Sequence, residues 1–352
     1  MNYILPAEWY PQSGIQLTWP HQDTDWKPYL YEIETTYLEM TNTISKYEKV
    51  LIVTPHVEEV KHFLTQHLSQ ESLSNVLFCA SDSNDTWARD HGAISLLPLT
   101  ADYLMYQESH DALLLDFQFN GWGKKFSAHL DNGISKNIND KGIFHASFQS
   151  HDDFVLEGGS IESDGMGTIM TTSQCLLAPN RNQPLSRTQI EEQLKRRLFA
   201  KRVIWLDHGN LIRDDTDGHI DTIVRFAPNN TILYVGCDDT KDPQYEDFQA
   251  LEKKIQSLRT SLNTPYRLLR LPMPHPIYDD EERLPATYAN FLILNGAVLC
   301  PTYHQADKDK EALHVISLAF PHYDIIPIDS RTIIRQHGSI HCLTMQFPIG
   351  IL

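Results

Sequence analysis

Leu211–Arg225, LIRDDTDGHIDTIVR, holds the densest chemistry of the chain: four aspartates and a histidine fall within residues 214–221. The segment Asp-Asp-Thr-Asp-Gly predicts a turn, because Asx side chains bond their own backbone and Gly218 tolerates a positive φ. From His219 onward the β-branched run predicts a strand. Residues i and i+2 of a strand face the same way, so His219 and Asp221 are expected side by side. Such a pair is suited to bind a cation and to move its protons.

Length and charge limit the classes of protein that need to be considered. With 352 residues the chain can bury a large core, as two or three domains or as one repetitive domain. Its net charge of −17 attracts cations and repels phosphates, so neither nucleic acid nor an anionic membrane is an expected partner. Acidity that serves solubility alone is the alternative interpretation.

The cysteines and the N-terminus indicate a cytoplasmic protein. The five cysteines, at positions 79, 175, 237, 300 and 342, are odd in number and form no CxxC motif, which disfavours a disulfide scaffold or a zinc site. A reducing compartment fits this usage. The start, MNYILPAEWYPQ, has neither the basic nor the apolar region of a signal peptide, and no apolar run approaches 18 residues.

Hydrophobic periodicity predicts alternating helices and strands. Predicted helices cover residues 29–47, 57–68, 187–199, 243–262 and 309–320, with Ser186 and Gln189 as a capping box and Asp242 as a cap. Predicted strands cover residues 50–54, 76–79, 93–97, 112–119, 154–157, 167–172, 175–177, 202–206, 232–235, 266–271, 291–294, 297–300, 324–327 and 339–347, and residues 127–153 carry the least pattern. Helix starts near 187, 243 and 309 are about 55–65 residues apart, which indicates a structural repeat in radial or stacked units.

Three further constellations could carry chemistry: Trp87-Ala88-Arg89-Asp90, Glu157-Gly158-Gly159 and His341-Cys342. Cys342 falls in the last predicted strand, where a cysteine is often only a small buried hydrophobe. A reactive thiol needs a base or a cation nearby, and His219 is a candidate base. With an ordinary pKa of about 8.5, only a few per cent of the thiol would be thiolate at neutral pH.

Five carboxylates lie close to Gly, Trp or His rather than in solvated charge runs: Asp90, Glu157, Asp215, Asp217 and Asp221. Each alone could be a turn or cap residue. Together with a cysteine and a histidine they indicate a pocket for a planar cation. Guanidinium presents parallel N–H pairs that carboxylates accept bidentately, and two such contacts would turn its central carbon toward a nucleophile.

The acidic turn fits a metal site poorly. With Gly218 at position six of a calcium loop, Asp215 and Asp217 fall on ligand positions, but Arg213 would occupy position one and Val224 position twelve. Zinc would need several His or Cys residues at metal spacing. No metal is therefore expected.

At these motifs the sequence resembles the agmatine deiminase family, which is related to bacterial peptidyl-arginine deiminases. The resemblance covers nearly the whole chain, in order, at Pro6–Trp9, Trp19–His21, Trp87–Gly92, Phe119–Gly123, Glu157–Gly159, Asp164–Thr168, Asp214–Asp221, Tyr288–Phe291 and Ile340–Cys342. It implies a single catalytic domain over residues 1–352, built as a five-bladed α/β propeller (pentein-like) of pseudo-repeated ββαβ units. It also implies hydrolysis of a guanidine to a urea and ammonia without a cofactor.

The resemblance assigns roles to the catalytic residues. Cys342 would be the nucleophile and His219 the general acid/base. Asp90 and Asp221 would hold the guanidinium, and Glu157 would orient His219. The thiolate would attack the guanidinium carbon, ammonia would leave, and water activated by His219 would release the ureido product from a covalent amidino-thioether.

Agmatine is the expected substrate, with N-carbamoylputrescine, on the route to putrescine and polyamines, as the product. The loop Phe119–Gly123 resembles that of agmatine enzymes, although Lys124 and Lys125 follow it. Substrate-binding residues are then Trp87 and Trp122 on the butyl chain, Asn290 and Asp217. The chain departs from the family pattern where Arg335-Gln336-His337 precede one glycine, at Ala93 and at Met345.

Other interpretations stay open at this point. A peptidyl-arginine deiminase or another guanidino deiminase would use the same residues. An amidinotransferase would replace water by an amine and show ping-pong kinetics. A guanidinium-binding protein without activity needs no thiol. The sequence leaves the oligomeric state open, a homo-oligomer included.

Overall fold

Five sheets of three or four strands and one short hairpin are formed by residues 2–107 and 111–352, which this computed structural model describes. The first sheet contains Tyr3–Ile4, Ile94–Pro98, Leu113–Gln118 and Ser147–Val155; the second Ile161–Ser163, Thr168–Thr172 and Arg202–Leu206; the third Val224–Ala227, Thr231–Gly236 and Arg267–Pro272; the fourth Leu292–Leu294, Ala297–Thr302 and Asp324–Asp329; and the fifth Gln12–Thr18, Lys49–Thr54, Val76–Ala80 and Thr344–Pro348. The hairpin pairs Tyr278–Asp279 with Glu282–Arg283.

All five sheets share one plan. An antiparallel pair of strands is followed by a strand that lies parallel to the second member of the pair. Parallel neighbours need a crossover, and the crossovers carry the helices. The fold is therefore α/β, as the sequence predicted, with a repeated unit in each sheet.

Strands from the two ends of the chain meet in the fifth sheet. Thr344–Pro348 runs antiparallel to Gln12–Thr18, which in turn lies parallel to Lys49–Thr54. Residues that are more than 300 positions apart in sequence are thereby held as direct neighbours.

The helices follow from hydrophobic spacing. In Leu30–Ile44 the fully buried Ile33, Tyr37, Met40 and Ile44 lie on one face at helical spacing. The helices are Leu30–Ile44, Val57–His67, Gln70–Ser74, Ala88–His91, Ala101–Leu104, Gly121–Lys124, Ile134–Asp140, Ser173–Leu176, Arg187–Arg197, Tyr245–Ser257 and Ala306–Ala319. Single 3₁₀ turns cover Lys27–Tyr29, Asp131–Gly133, Gly158–Ser160, Ile220–Thr222, Ile333–Gln336 and His341–Leu343. None of the helices in the described ranges is both long and apolar enough to span a membrane.

The predicted elements were placed well where periodicity was strong. Strand Arg202–Leu206 has the predicted bounds, and helix Arg187–Arg197 carries the predicted capping box of Ser186 and Gln189. Asp242, predicted as a helix cap, lies three residues before Tyr245–Ser257, whose N-cap is Gln244. Asp242 still accepts a bond from the backbone N–H of Gln244.

Three local predictions were wrong. Residues 175–177 were predicted as a strand but belong to the turn of helix Ser173–Leu176, because Thr172 caps the backbone N–H of Cys175. Residues 127–153, predicted to carry little pattern, contain helix Ile134–Asp140 and most of strand Ser147–Val155. The strand predicted from His219 begins only at Val224.

Candidate active site

Each of the five sheets contributes one polar candidate residue, and the five residues occupy equivalent positions in the fold. Asp90, Glu157, Asp221, Asn290 and Cys342 each lie two to four residues before the strand that opens the antiparallel pair of one sheet. Contacts join three of these five residues: Asp221 bonds Asn290, and Asn290 bonds Cys342. The repeat thus explains why residues spread over 250 positions converge.

An acidic cavity of about 200 Å³ is lined by two of these residues, Asp90 and Cys342. Its lining contains three kinds of functional group: four aspartate carboxyl groups, three large aromatic rings and one thiol. The lining residues are Asp25, Asp85, Trp87, Asp90, Trp122, Phe126, Asp215, Thr216, Gln336, His337, Gly338 and Cys342. Among these described residues His337 is the one basic side chain, so the cavity favours a cationic, partly apolar ligand.

Cys342 is held at the inner end of the cavity by Asn290. The Cys342 sulfur donates to Asn290 Oδ1 at 3.3 Å, and the Cys342 backbone N–H donates to the same oxygen at 3.2 Å. Burial, and then the charges of Asp221 and Asp90, raise the pKa of the Cys342 thiol well above its ordinary value. Burial and these two charges therefore favour the protonated thiol over the thiolate.

The thiol lies on a 3₁₀ turn, His341–Leu343, rather than inside the predicted strand, which begins at Thr344. Likewise, Asp221 lies on the 3₁₀ turn Ile220–Thr222, directly after His219. The i, i+2 strand argument for His219 and Asp221 was therefore wrong in its geometry. These turns place the side chains at the ends of strands, where a ladder of hydrogen bonds does not fix their direction.

His219 is fully buried and lies 3.6 Å from Asp90, measured from Nδ1 to Oδ1. Burial opposes its charge, but Asp90, Cys175 and Glu157 together raise the pKa of His219 well above its ordinary value. A carboxylate oxygen of Glu157, the Cys175 sulfur and a ring nitrogen of His219 lie within 4.8 Å of one another. The imidazole is thus an imidazolium at neutral pH, ready to give a proton.

Asp90 is fixed at both carboxylate oxygens. Its Oδ1 accepts from the Gly159 backbone N–H at 3.0 Å, and its Oδ2 accepts from the Trp122 indole at 2.9 Å. Burial raises the pKa of Asp90 to about 6, although His219 counteracts part of this effect. A Cβ at Gly159 would lie 2.6 Å from His219 Nδ1 and 2.8 Å from Asp90 Oδ1. The second glycine of Glu-Gly-Gly therefore leaves room for the two functional side chains.

Asp221 keeps its charge through His341. Its Oδ2 accepts from His341 Nδ1 at 2.7 Å and from Asn290 Nδ2 at 3.1 Å. Burial alone would raise the pKa of Asp221, but the hydrogen bond and positive charge of His341 lower it below the ordinary value. Oδ1 of Asp221 is buried without a partner among the described residues, so a ligand cation can still use it.

Behind His341 lies a buried ion network. His341 Nε2 bonds Glu8 Oε2 at 2.8 Å, and Glu8 also accepts from Arg225, which bonds Glu162 on its other side. Each nitrogen of His341 thus lies within hydrogen-bond distance of a carboxylate, and Nε2 also lies 3.1 Å from Arg225 Nη2. Sequence reasoning gave no role to these residues; the signals were the Pro-Ala-Glu-Trp motif and the arginine that ends the acidic stretch.

Glu157 and Asp217 meet at a second arginine. Both oxygens of Glu157 accept from Arg181 Nε, at 3.0 and 3.2 Å, and Arg181 Nη1 donates to Asp217 Oδ2 at 2.5 Å. Lys125 donates to the other oxygen of Asp217 at 2.7 Å. Asp217 is absent from the cavity lining within the described chain, so the structure places this predicted substrate-binding residue in an ion network instead.

In the part of the chain that the structure describes, two groups of side chains have donor sets that a metal could use: Glu157, Cys175 and His219, and Glu8, Glu162 and His341. An arginine already supplies the positive charge in each. Arg181 bonds Glu157 in the first, and Arg225 bonds both glutamates in the second. These groups therefore fit ion-pair networks better than a metal.

The sequence-predicted site residues divide into three positions. Cys342, Asp90, Trp87 and Trp122 line the cavity. A second set, which contacts the lining residues from behind, consists of His219, Asp221, Asn290 and Glu157. Asp217 alone lies apart.

The α/β fold and the acidic cavity with its buried thiol define a protein with a site for a cationic ligand beside a cysteine. The chain belongs to the Porphyromonas-type peptidyl-arginine deiminase family, whose family model matches residues 4–348, and the agmatine deiminases are among its relatives. The resemblance noted in the sequence is thereby confirmed.

Three relatives illustrate the similarity. An agmatine deiminase of Medicago truncatula is 33% identical, over 99% of this chain and 96% of that protein. The crystal structure of a putative arginine deiminase from Porphyromonas gingivalis is 46% identical, with a TM-score of 0.91 and 99% coverage of both chains. A variant of C. jejuni agmatine deiminase with substrate bound is 37% identical, with a TM-score of 0.88, covering 99% of this chain and 97% of that one.

Proposed function

We propose that this chain is an agmatine deiminase, which hydrolyses agmatine to N-carbamoylputrescine and ammonia without a cofactor. The observation that carries the proposal is the cavity beside Cys342. Within the described ranges its lining has four aspartates and a single basic residue, His337, already paired with Asp215. Agmatine is a dication, with a guanidinium at one end and an ammonium at the other. The α-carboxylate of arginine would instead meet aspartates.

The guanidinium end fits the inner part of the cavity. Asp90 and Asp221 would receive its N–H groups, since each has its position fixed by protein donors and Asp221 retains a free oxygen. Cys342 lies 4.0 Å from Asp221, so a guanidinium held by this carboxylate has its carbon close to the sulfur. Asn290 orients the sulfur.

The chemistry proceeds in two balanced steps. The Cys342 sulfur adds to the guanidinium carbon, the C–N bond to one terminal nitrogen breaks, and the thiol proton leaves with that nitrogen as ammonia. His219 gives its proton to the departing nitrogen and recovers the thiol proton. Water then adds to the amidino-thioether carbon with His219 as base, the C–S bond breaks, and the urea, the restored thiol and one proton are released.

The distal end of the substrate fits the outer part of the cavity. Trp87, Trp122 and Phe126 offer apolar faces for the four methylenes. Asp85 and Asp215 belong to the same lining and can accept an ammonium group. We assign to Asp217 an indirect role, in which it holds Arg181 and thereby Glu157 behind His219.

A substrate panel tests the proposal. Ureido-product colorimetry and ammonia release are measured on agmatine, free arginine and an arginine peptide, with Cys342→Ala as the inactive control. The highest kcat/KM is expected on agmatine. Higher turnover of either arginine substrate would reject agmatine in favour of an arginine or peptidyl-arginine deiminase, and turnover that requires an amine acceptor would indicate an amidinotransferase.

We also infer that the five sheets form the blades of a five-bladed propeller, pentein-like, in one catalytic domain over residues 1–352. The shared strand plan and the pairing of both chain ends in one sheet support this.

Five free thiols suit the cytoplasm. Exposed apolar residues support a homo-oligomer, which light scattering tests: Leu104, Met105, Tyr106, Met166 and Leu262.

A further inference from the structure

His337 occupies an unusual position at the cavity wall. It follows the 3₁₀ turn Ile333–Gln336 and has a φ of +65°. Residues other than glycine seldom adopt this left-handed conformation. This conformation turns the imidazole toward the acidic loop, where His337 Nδ1 lies 2.5 Å from Asp215 Oδ2. Both residues line the cavity that holds Cys342.

Asp215 has no other side-chain partner within the described chain. Lys125 bonds its backbone carbonyl, not its carboxylate. The charged groups that face His337 from other elements are Asp215, Glu282 and Arg213, and the last two bond each other at 2.8 Å. Across the cavity lie Asp25, Asp85, Asp90 and the Cys342 thiol. The imidazole of His337 is thus the side chain that now occupies the Asp215 carboxylate.

We propose that His337 determines substrate specificity by competing with the substrate for Asp215. The distal ammonium of a dicationic guanidine must displace the His337 imidazole from this carboxylate. This inference rests on the proposed function. It assigns to His337 the preference of the enzyme for substrates with an ammonium group at the distal end. Binding exchanges one cation for another: the ammonium takes the place of the imidazolium beside Asp215, His337 becomes neutral, and one proton passes to solvent.

The direction of the pH dependence follows from this exchange. Hydrogen bonding to Asp215 raises the pKa of His337 above its ordinary value. Below that pKa the imidazolium neutralises Asp215, and the ammonium gains little. Above it the carboxylate is free for the ammonium. Preference for a dication over a monocation of equal length should therefore increase with pH, whereas the guanidinium end is insensitive to His337.

Calorimetric titration of full-length Cys342→Ser with agmatine and with n-butylguanidine isolates the amine end, since the two ligands differ only in the ammonium. Titrations run between about pH 5.5 and 8.5, in buffers of different ionisation enthalpy. Below the pKa of His337, the ratio of the two affinities should rise about tenfold per pH unit, with about one extra proton released by agmatine. His337→Gln should abolish both effects and keep the ratio high at every pH.

The matched control is His275→Gln, which breaks an exposed His–Asp pair at 3.1 Å from Asp307, a residue outside the cavity lining. It should retain the behaviour of the parent. A ratio that is flat with pH in the parent, or an equal proton count in His337→Gln, overturns the inference. A lower agmatine affinity in His337→Gln at alkaline pH also overturns the inference. That loss would mean that His337 helps to bind agmatine rather than competing with it for Asp215.

The two proposals fail in different ways. If the wild-type enzyme turns over agmatine and Cys342→Ser binds both guanidines, but the ratio of their affinities does not depend on pH, only the role of His337 is rejected. If neither guanidine binds and agmatine is not hydrolysed, the proposed function is rejected together with this inference.

Discussion

The backbone N–H of Gly159 bonds Asp90 Oδ1 at 3.0 Å, with His219 packed over the same glycine. A methyl group at Gly159 would lie 2.6 Å from His219 Nδ1, closer than non-bonded atoms allow. The contact links two neighbouring sheets, and it fixes the distance between the carboxylate and the imidazole.

Gly159→Ala should therefore reduce kcat/KM on agmatine by about a hundredfold or more, since a displacement of about 1 Å at a reacting group costs that much. Gly133→Ala is the control, because a Cβ there has no atom within 4 Å and its φ of −92° suits alanine. Steady-state kinetics and thermal melts are measured on both. Wild-type kcat/KM in Gly159→Ala would contradict the assignment of His219 and Asp90 to the reacting centre.

His341 should prove essential for stability as well as for activity. His341→Gln leaves the carboxylates of Asp221 and Glu8 without the imidazole ring that both contact, and breaking a buried pair costs about 3–5 kcal/mol. Because His341 lowers the pKa of Asp221, the acid limb of kcat/KM should also move to higher pH.

Urea unfolding and a pH–rate profile test the effect of His341→Gln, with His91→Gln as the control. His91 is equally buried but faces the Thr18 hydroxyl, with no carboxylate partner among the described residues, and burial lowers its pKa to about 3, so it is neutral. Equal destabilisation by the two variants would argue against a charged role for His341.

Asp90 should set the acid limb of the wild-type profile. Its carboxyl has a pKa of about 6 in the free enzyme and must be ionised to hold a guanidinium. Accordingly, kcat/KM should fall about tenfold per pH unit below that value, since this parameter reports the free enzyme. Trp122→Phe removes the indole N–H that stabilises the carboxylate and should shift the limb upward; an unchanged midpoint would contradict this.

The sequence identified the candidate site residues because the motifs that carry them are local. Three motifs each indicate the end of a strand: the Asp-Asp-Thr-Asp-Gly turn, Glu-Gly-Gly and the terminal His-Cys. In the structure a candidate site residue lies at each of them. Local periodicity could not describe the 3₁₀ turns at Asp221 and Cys342, because β-branched neighbours favour a strand over the same residues. Pairing with the adjacent sheets decides their geometry.

The supporting ion pairs could not be predicted for a different reason. Arg225 bonds Glu8 across 217 positions, and His341 bonds the same glutamate across 333. No spacing rule relates residues so far apart, since their contact arises only when the five sheets come together. The His337–Asp215 pair likewise spans 122 positions, and only the unusual sequence before Gly338 marked the place.

Glu48 should make the folded protein less stable as pH rises. Burial raises its pKa to about 8, and one carboxylate oxygen is buried without a partner among the described residues. Because the folded pKa lies above the unfolded value of about 4.3, stability is fully present below pH 4 and is lost progressively up to pH 8. Glu48→Gln should therefore be more stable than wild type at pH 8 by roughly 2–4 kcal/mol, with little difference at acidic pH.

Urea unfolding at both pH values measures this difference, with the exposed Glu246→Gln as a control of equal charge change. The backbone bond from Asn295 to Glu48 Oε2, at 2.9 Å, can be kept by the amide oxygen of glutamine. A Glu48→Gln protein that is less stable than wild type at pH 8 would show that the glutamate is ionised and satisfied in the fold.

The substrate should itself ionise the nucleophile. In the free enzyme Asp221 and Asp90 hold the pKa of the Cys342 thiol high, so a thiolate there would be a third negative charge in a buried site. A guanidinium bound between the two carboxylates offsets their charge and brings a cation next to the sulfur. The thiol pKa should fall when an unreactive guanidinium ligand binds, and ultraviolet absorbance of the thiolate measures it. Since four other buried thiols contribute, the Cys342→Ser spectrum is subtracted. If the titration midpoint is the same with and without ligand, the thiol must be ionised by a protein base, and the resting charge assigned to His219 would have to be revised.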